Sequence, residues 1–239
     1  MEEESYEVKI GTLLSSRTIK IERTDPSVFA PTFLARRFLD EMATMSLSGL
    51  KVLDIGCGSG VLSLAARLGG ADVTAIDINE AALDCTRYNA KRLGLTLDVR
   101  FSDGLQAVRP DERFDVVLAN VPGAAPSMTT KQNAPVDRGD VSDPLLIDVV
   151  RRGPELMRPA GVMITWCNDL LGLAPIEDLM RDHWDTIEVR QDVDTLINAE
   201  TGLRIWGYDR DRLLAEGRMR TRHGRDFVGL RIYRLALWR

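Results

Sequence analysis

Residues 6–14 and 17–22 alternate apolar and polar side chains on either side of Ser15-Ser16. A period of two belongs to a strand with one buried face, so a strand pair is expected ahead of the main body of the chain. The spacing then changes. Phe33, Leu34, Phe38, Leu39 and Met42 recur at helical intervals, predicting a helix from near Pro31-Thr32 to before Ser48-Gly49. From Leu50 a strand–helix rhythm sets in. Residues 51–55 are a short apolar run, a glycine-rich turn follows at 56–60, and 61–68 is helical as far as Gly69-Gly70. Residues 72–76 form a second strand, and Asn79 is placed to cap a helix over 80–93 that Gly94 stops. Residues 97–101 and 114–119 are the third and fourth strands, the latter β-branched and apolar as inside a parallel sheet.

Asp143 and Pro144 open a further helix, which Gly153-Pro154 are expected to break or kink. Residues 161–166 make the fifth strand. A helix over 178–184 carries His183, read as a surface or packing residue, and Trp184, read as core. Residues 186–193 and 227–237 are strands with no clear helix between them, hence an antiparallel pair on one sheet edge. The intervening 194–226 is polar, Arg-rich and long for a connection, which makes it a candidate substrate loop.

Strands alternating with helices specify a doubly wound parallel α/β sheet, whose ligands bind outside the carboxyl ends of the strands. The expected division is 1–47 for hairpin and cap helix, and 48–239 for the sheet domain. A length of 239 residues, 44% hydrophobic and 28% charged, suits one such globular domain. Thirty-one basic against 36 acidic residues give a net charge of −5, which argues against a generally basic nucleic-acid binder. Cys57, Cys85 and Cys167 are widely spaced with no CxxC pair, so neither a metal site nor a disulfide framework is expected. The acidic start Met1-Glu2-Glu3-Glu4 is unlike a signal peptide, and no apolar run is long enough for a membrane span. The expected location is the cytoplasm.

The candidate chemistry begins at Val52-Leu53-Asp54-Ile55-Gly56-Cys57-Gly58-Ser59-Gly60. Glycines at 56, 58 and 60 let the backbone leave a strand sharply and approach a ligand closely. A nicotinamide fingerprint requires its third glycine where Val61 stands. Asp54 is also badly placed beside a pyrophosphate and well placed beside an ammonium or sulfonium group. Asp77 closes the second strand, where a carboxylate accepts from vicinal ribose hydroxyls. Asp103, in Phe101-Ser102-Asp103-Gly104, stands at the same edge and suits an adenine amine.

These motifs resemble, over about residues 28–193, the class I S-adenosylmethionine (SAM)-dependent methyltransferases. The resemblance implies a seven-stranded Rossmann-like sheet of order 3-2-1-4-5-7-6, with the last strand antiparallel. It implies SAM as cofactor, with Asp54 and the glycines at the methionine end, Asp77 at the ribose and Asp103 at the adenine. Cys57, Ile78, Ser102, Gly104 and Asn120 complete the expected cofactor set.

A narrower resemblance, to HemK-like enzymes including release-factor glutamine methyltransferases, rests on Ala119-Asn120-Val121-Pro122-Gly123. In that group an Asn side chain and the next backbone carbonyl accept hydrogen bonds from the target nitrogen. Asn120 and Pro122 are thereby the expected catalytic residues. Val28-Phe29-Ala30-Pro31 resembles the group's entry segment over SAM, and the stretches at 137–140, 145–156 and 158–161 follow its pattern. Val121 and Gly123 depart from it. Lacking an aromatic at 123, the site forgoes the ~1–3 kcal/mol that stacking on a flat base provides. That shifts the expectation to a small-molecule acceptor, methylated on nitrogen or oxygen, with Phe29, Trp166, Trp206, Tyr208 and His223 as candidate substrate contacts. The alternatives are a protein glutamine or other side-chain acceptor, an RNA acceptor, or a non-catalytic SAM-binding subunit. Methyl transfer from a sulfonium asks the protein mainly to align nucleophile and methyl; His223 is the better of the two histidines as a base.

Overall fold

The structure, a computed structural model, describes residues 4–11, 16–121, 144–171, 173–197 and 210–238. Pro122, Trp206 and Tyr208 lie outside the described residues. Strands β1 (Glu4–Gly11) and β2 (Ser16–Arg23) form the expected antiparallel hairpin, followed by α1 (Phe33–Met42). The main sheet contains β3 (Lys51–Ile55), β4 (Asp72–Asp77), β5 (Asp98–Phe101), β6 (Phe114–Ala119), β7 (Met157–Asn168), β8 (Thr186–Ile197), β9 (Arg220–Arg222) and β10 (Arg225–Ala236). Its helices are α2 (Val61–Leu68), α3 (Glu80–Arg92), α4 (Pro144–Leu156), α5 (Leu173–His183) and the single turn α6 (Arg210–Ala215).

Seven strands run β5-β4-β3-β6-β7-β10-β8, with β10 antiparallel to both of its long neighbours. With the short β9 left out of the numbering, this is the order 3-2-1-4-5-7-6, so the expectation is met in part. The count is eight rather than seven, because the short β9 pairs with the first residues of β10.

Two apolar layers flank the sheet. On one face Phe38, Leu39, Leu64 and Trp166 share a core with Ile10, Ile19 and Ile21 of the hairpin. On the other, Leu146, Val149, Met180, Trp184 and Tyr233 pack over Leu53, Val117 and Met163.

Three expectations are corrected. Of the expected break or kink at Gly153-Pro154, the break does not occur, since α4 runs on to Leu156. Pro154 has no N–H for the Val150 carbonyl one turn back, and the Trp184 indole Nε1 donates to that carbonyl at 2.8 Å instead. Strand β7 starts at Met157, not at 161. It pairs with Phe114, then shifts register before Val162, and Ala160 takes up a left-handed φ of 60°. Such a bulge conceals the strand start from a period-two reading. Finally, 194–226 is not one loop: β8 continues to Ile197, α6 follows at 210, and β9 and β10 form a hairpin turning at His223-Gly224.

Candidate functional site at the carboxyl edge of the sheet

Strand β3 delivers the glycine loop to the carboxyl edge, where Gly56 N and Cys57 N both donate to the Ile76 carbonyl, at 2.8 and 3.1 Å. Gly56, Gly58 and Gly60 have φ of 72°, 55° and 84°, a region other residues enter at a cost. Gly60 is required twice over, since a Cβ there would lie 2.9 Å from the Thr86 hydroxyl. The loop is held from below by two α3 side chains that the sequence did not flag. Thr86 Oγ1 donates to Gly58 O at 3.0 Å, and Asn89 Nδ2 donates to Ser59 O at 3.1 Å. Both polar residues sit on the buried face of α3, where hydrophobic patterning is silent about them.

Asp54 is 1% exposed. Its Oδ2 accepts from Ser63 Oγ at 2.5 Å, while Oδ1 is buried with no partner. Burial, aided by the charge of Asp77 and opposed by the Ser63 hydrogen bonds, raises its pKa to about 6. An orphaned carboxylate oxygen beside a glycine loop fits a cationic ligand, since a buried acceptor left unsatisfied is costly. Cys57, 6% exposed, is pushed well above the ordinary thiol range by burial and by the Asp54 and Asp77 charges. It remains a neutral wall residue, not a nucleophile.

Asp77 is partly exposed and already works within the protein: Oδ2 accepts from Gly58 N and Oδ1 from Asn79 N, each at 2.9 Å. A carboxylate has about four acceptor positions, so two stay available to further donors. Asn79 caps α3 as expected, accepting from Ala81 N. Ile78 is 51% exposed next to Asp77, and Phe29 is 60% exposed ahead of α1. Ser102 is buried, donating to Gly104 O and accepting from Ala107 N. It shapes the turn that leaves Asp103 exposed.

Asn120 follows β6 at the same edge. The carbonyls on either side of it are tied down from β7: Thr165 Oγ1 donates to Ala119 O at 3.3 Å and Trp166 Nε1 to Val121 O at 2.9 Å. Trp166 is therefore buried in the core and braces the site from behind instead of lining an open pocket. His223 is an exposed residue of left-handed φ, 51°, in the β9–β10 turn. Five arginines near it have local partners. Arg210 pairs with Asp226, Arg212 and Arg218 with Glu216, and Arg220 and Arg222 share Asp194. Among the described residues no group of His, Cys, Asp and Glu is arranged to hold a metal ion, and no helix is long and apolar enough to cross a membrane.

A family model described as ribosomal protein L11 methyltransferase (PrmA) matches residues 32–126, the stretch from α1 to just past Asn120. A ribosomal protein L11 methyltransferase of Symbiobacterium thermophilum is 43% identical over 93 residues, covering 38% of this chain and 29% of the relative. A ubiquinone biosynthesis O-methyltransferase of Cereibacter sphaeroides is 34% identical over 125 residues, covering 52% and 44%. The chain thus spans less than half the length of these curated relatives. Among solved structures, the Thermus thermophilus 16S rRNA N2 G1207 methyltransferase in complex with AdoMet and guanosine aligns with a TM-score of 0.61 at 16% identity, over 98% of this chain and 50% of that one. The ribosomal protein L11 methylase of Lactobacillus delbrueckii aligns at 0.54 and 21%, over 87% and 82%. The chain thus has the fold of these methyltransferase structures, and within it residues 32–126 form a segment similar to the ribosomal protein L11 methyltransferases.

Proposed function

We propose that the chain transfers a methyl group from SAM to a side-chain nitrogen of a protein. When bound, SAM supplies a methyl group activated by positive sulfur. Asp54 and the 56–60 loop would hold its methionine end, Asp77 the ribose, and Ile78, Ser102, Asp103 and Gly104 the adenine side. Asn120 presents its side-chain oxygen as an acceptor for a hydrogen of the incoming nitrogen, orienting the lone pair toward the cofactor. The observation that carries this reading is the clamped Ala119-Asn120-Val121 backbone at the methyl edge, within a segment matching a protein methyltransferase model. The HemK-like grouping rests on Asn120, Pro122, the 28–40 segment and the stretches at 137–140, 145–156 and 158–161, and the L11 likeness shifts the target away from release-factor glutamine.

A second reading keeps the small-molecule acceptor. The Val121 carbonyl already accepts from Trp166, which leaves the site poorer in acceptors for a two-hydrogen amide and suits a single hydroxyl. The O-methyltransferase likeness points the same way. Incubation with methyl-tritiated SAM and either purified ribosomal protein L11, a total ribosomal protein fraction or a set of catechols separates the readings. Label in protein is expected. Label confined to the catechols would replace the first reading by the second, and SAM binding without any transfer would make the chain a non-catalytic partner.

A further inference from the structure

The N-terminal hairpin is joined to the glycine loop by one buried side chain. Asn89, 1% exposed, meets Glu22 of β2 as a neighbouring strand would: its Oδ1 accepts from Glu22 N at 2.9 Å and its Nδ2 donates to Glu22 O at 2.8 Å. The same Nδ2 donates to Ser59 O inside the glycine loop at 3.1 Å. One amide therefore satisfies backbone groups of two segments far apart in sequence. The rest of that α3 face reinforces the contact. Cys85 Sγ donates to Glu22 O, and Arg92 pairs with the Glu22 carboxylate at 2.9 Å. Beyond Glu22 the chain stays on α3 down to the cofactor edge: Val28 packs against Ala82 and Cys85, and Asn79 Nδ2 donates to Ser27 O. Asn79 is itself bonded to Asp77.

We propose that docking of the β1–β2 hairpin and binding of SAM are thermodynamically coupled through Asn89, a positioning residue that touches both segments and is not expected to touch the ligand. The inference rests on the cofactor reading above. The physical reason is preorganisation. With the hairpin docked, the Ser59 carbonyl is fixed by a donor that is itself fixed by Glu22, so the loop need not be ordered at the moment of binding. Coupling is reciprocal, so SAM must hold the hairpin down by the factor by which the hairpin improves SAM affinity.

The test is calorimetric titration of SAM into the full chain, wild type and Asn89→Ala, with hydrogen exchange followed over residues 16–23 at each endpoint. In wild type, SAM should slow exchange of the β2 amides, including Glu22 N–H. In Asn89→Ala, SAM affinity should fall by about tenfold or more, within the usual range of such couplings, and the SAM-dependent protection of β2 should disappear. Wild-type binding of SAM with unaltered β2 exchange would overturn the coupling, and so would an Asn89→Ala chain that binds SAM as well as wild type. If that variant fails to fold, the wild-type exchange experiment decides alone. Failure of wild type to bind SAM at all would instead remove the cofactor reading on which the coupling rests.

Discussion

On the proposed function, Asp54 sets stability against ligand binding within one side chain. Its carboxyl is buried with one oxygen unpartnered and a pKa near 6, against an ordinary value of 3.8. Because the native pKa lies above the unfolded one, the protonated carboxyl favours the folded state. That contribution is full below about pH 4 and is lost as pH rises through about 6. The shift corresponds to about 3 kcal/mol. Asp54→Asn keeps the shape, removes the buried charge, and should stabilise the ligand-free protein at pH 7 by up to that amount, with no gain at pH 4. Denaturant titrations of both chains at the two pH values check it; an equal gain at both would mean that the charge is not the cause. In wild type, SAM affinity should rise as pH increases through 6, because only the ionised carboxylate attracts a cation. The positions of the glycines, Asp77 and Asp103 at this edge were legible from sequence because each answers to one local demand, a positive φ or the end of a strand, whereas the burial of Asp54 was not. Thr86 and Asn89 were not, since their partners are backbone carbonyls whose location only the fold supplies.

Elements show the same division. Residues 51–119 repeat strand, turn and helix with their caps in place, and there the expected elements match those found to within a residue or two. The misses cluster where tertiary contacts override local signals. Gly153-Pro154 reads as a helix breaker, yet Trp184 repairs both defects, filling the space a side chain would take and donating to the orphaned Val150 carbonyl. A Cβ at 153 would lie 2.5 Å from the Trp184 ring. Gly153→Ala therefore opposes a helix-propensity gain of about 1 kcal/mol to an overpacking cost of roughly 1–3 kcal/mol. The ring is buried and hydrogen-bonded, so the cost should win. The variant is expected to be less stable than wild type by up to about 2 kcal/mol, with altered Trp fluorescence, in a urea titration. A stabilised variant would show that Trp184 shifts freely and that the Val150 bond does not anchor α4.

At the scale of the molecule, a boundary between 47 and 48 suits the sequence, because a hairpin and a lone helix precede the strand–helix rhythm. The packing argues for a different unit of folding. Ile10, Ile19 and Ile21 are 5%, 5% and 0% exposed and lie in one core with Phe38, Leu64 and Trp166. Alternation alone reveals that a hairpin has an apolar face, but not what that face covers. Polar contacts tie the other end of the segment to the far edge of the sheet: the buried Glu41 of α1 pairs with Arg190 and Arg234 of β8 and β10. A segment whose removal strips apolar cover from α2 and takes Glu41 from Arg190 and Arg234, and Glu22 from Asn89, should unfold with the whole. Ile21→Ala deletes a fully buried side chain, and such truncations cost about 2–5 kcal/mol. The expected outcome is a loss of that size carried by one cooperative transition, with far-ultraviolet dichroism, which reports the secondary structure, and Trp fluorescence, to which the buried Trp166 and Trp184 contribute, coinciding in guanidinium. Two separated transitions, with only the first displaced by Ile21→Ala, would establish the hairpin and α1 as a unit of their own.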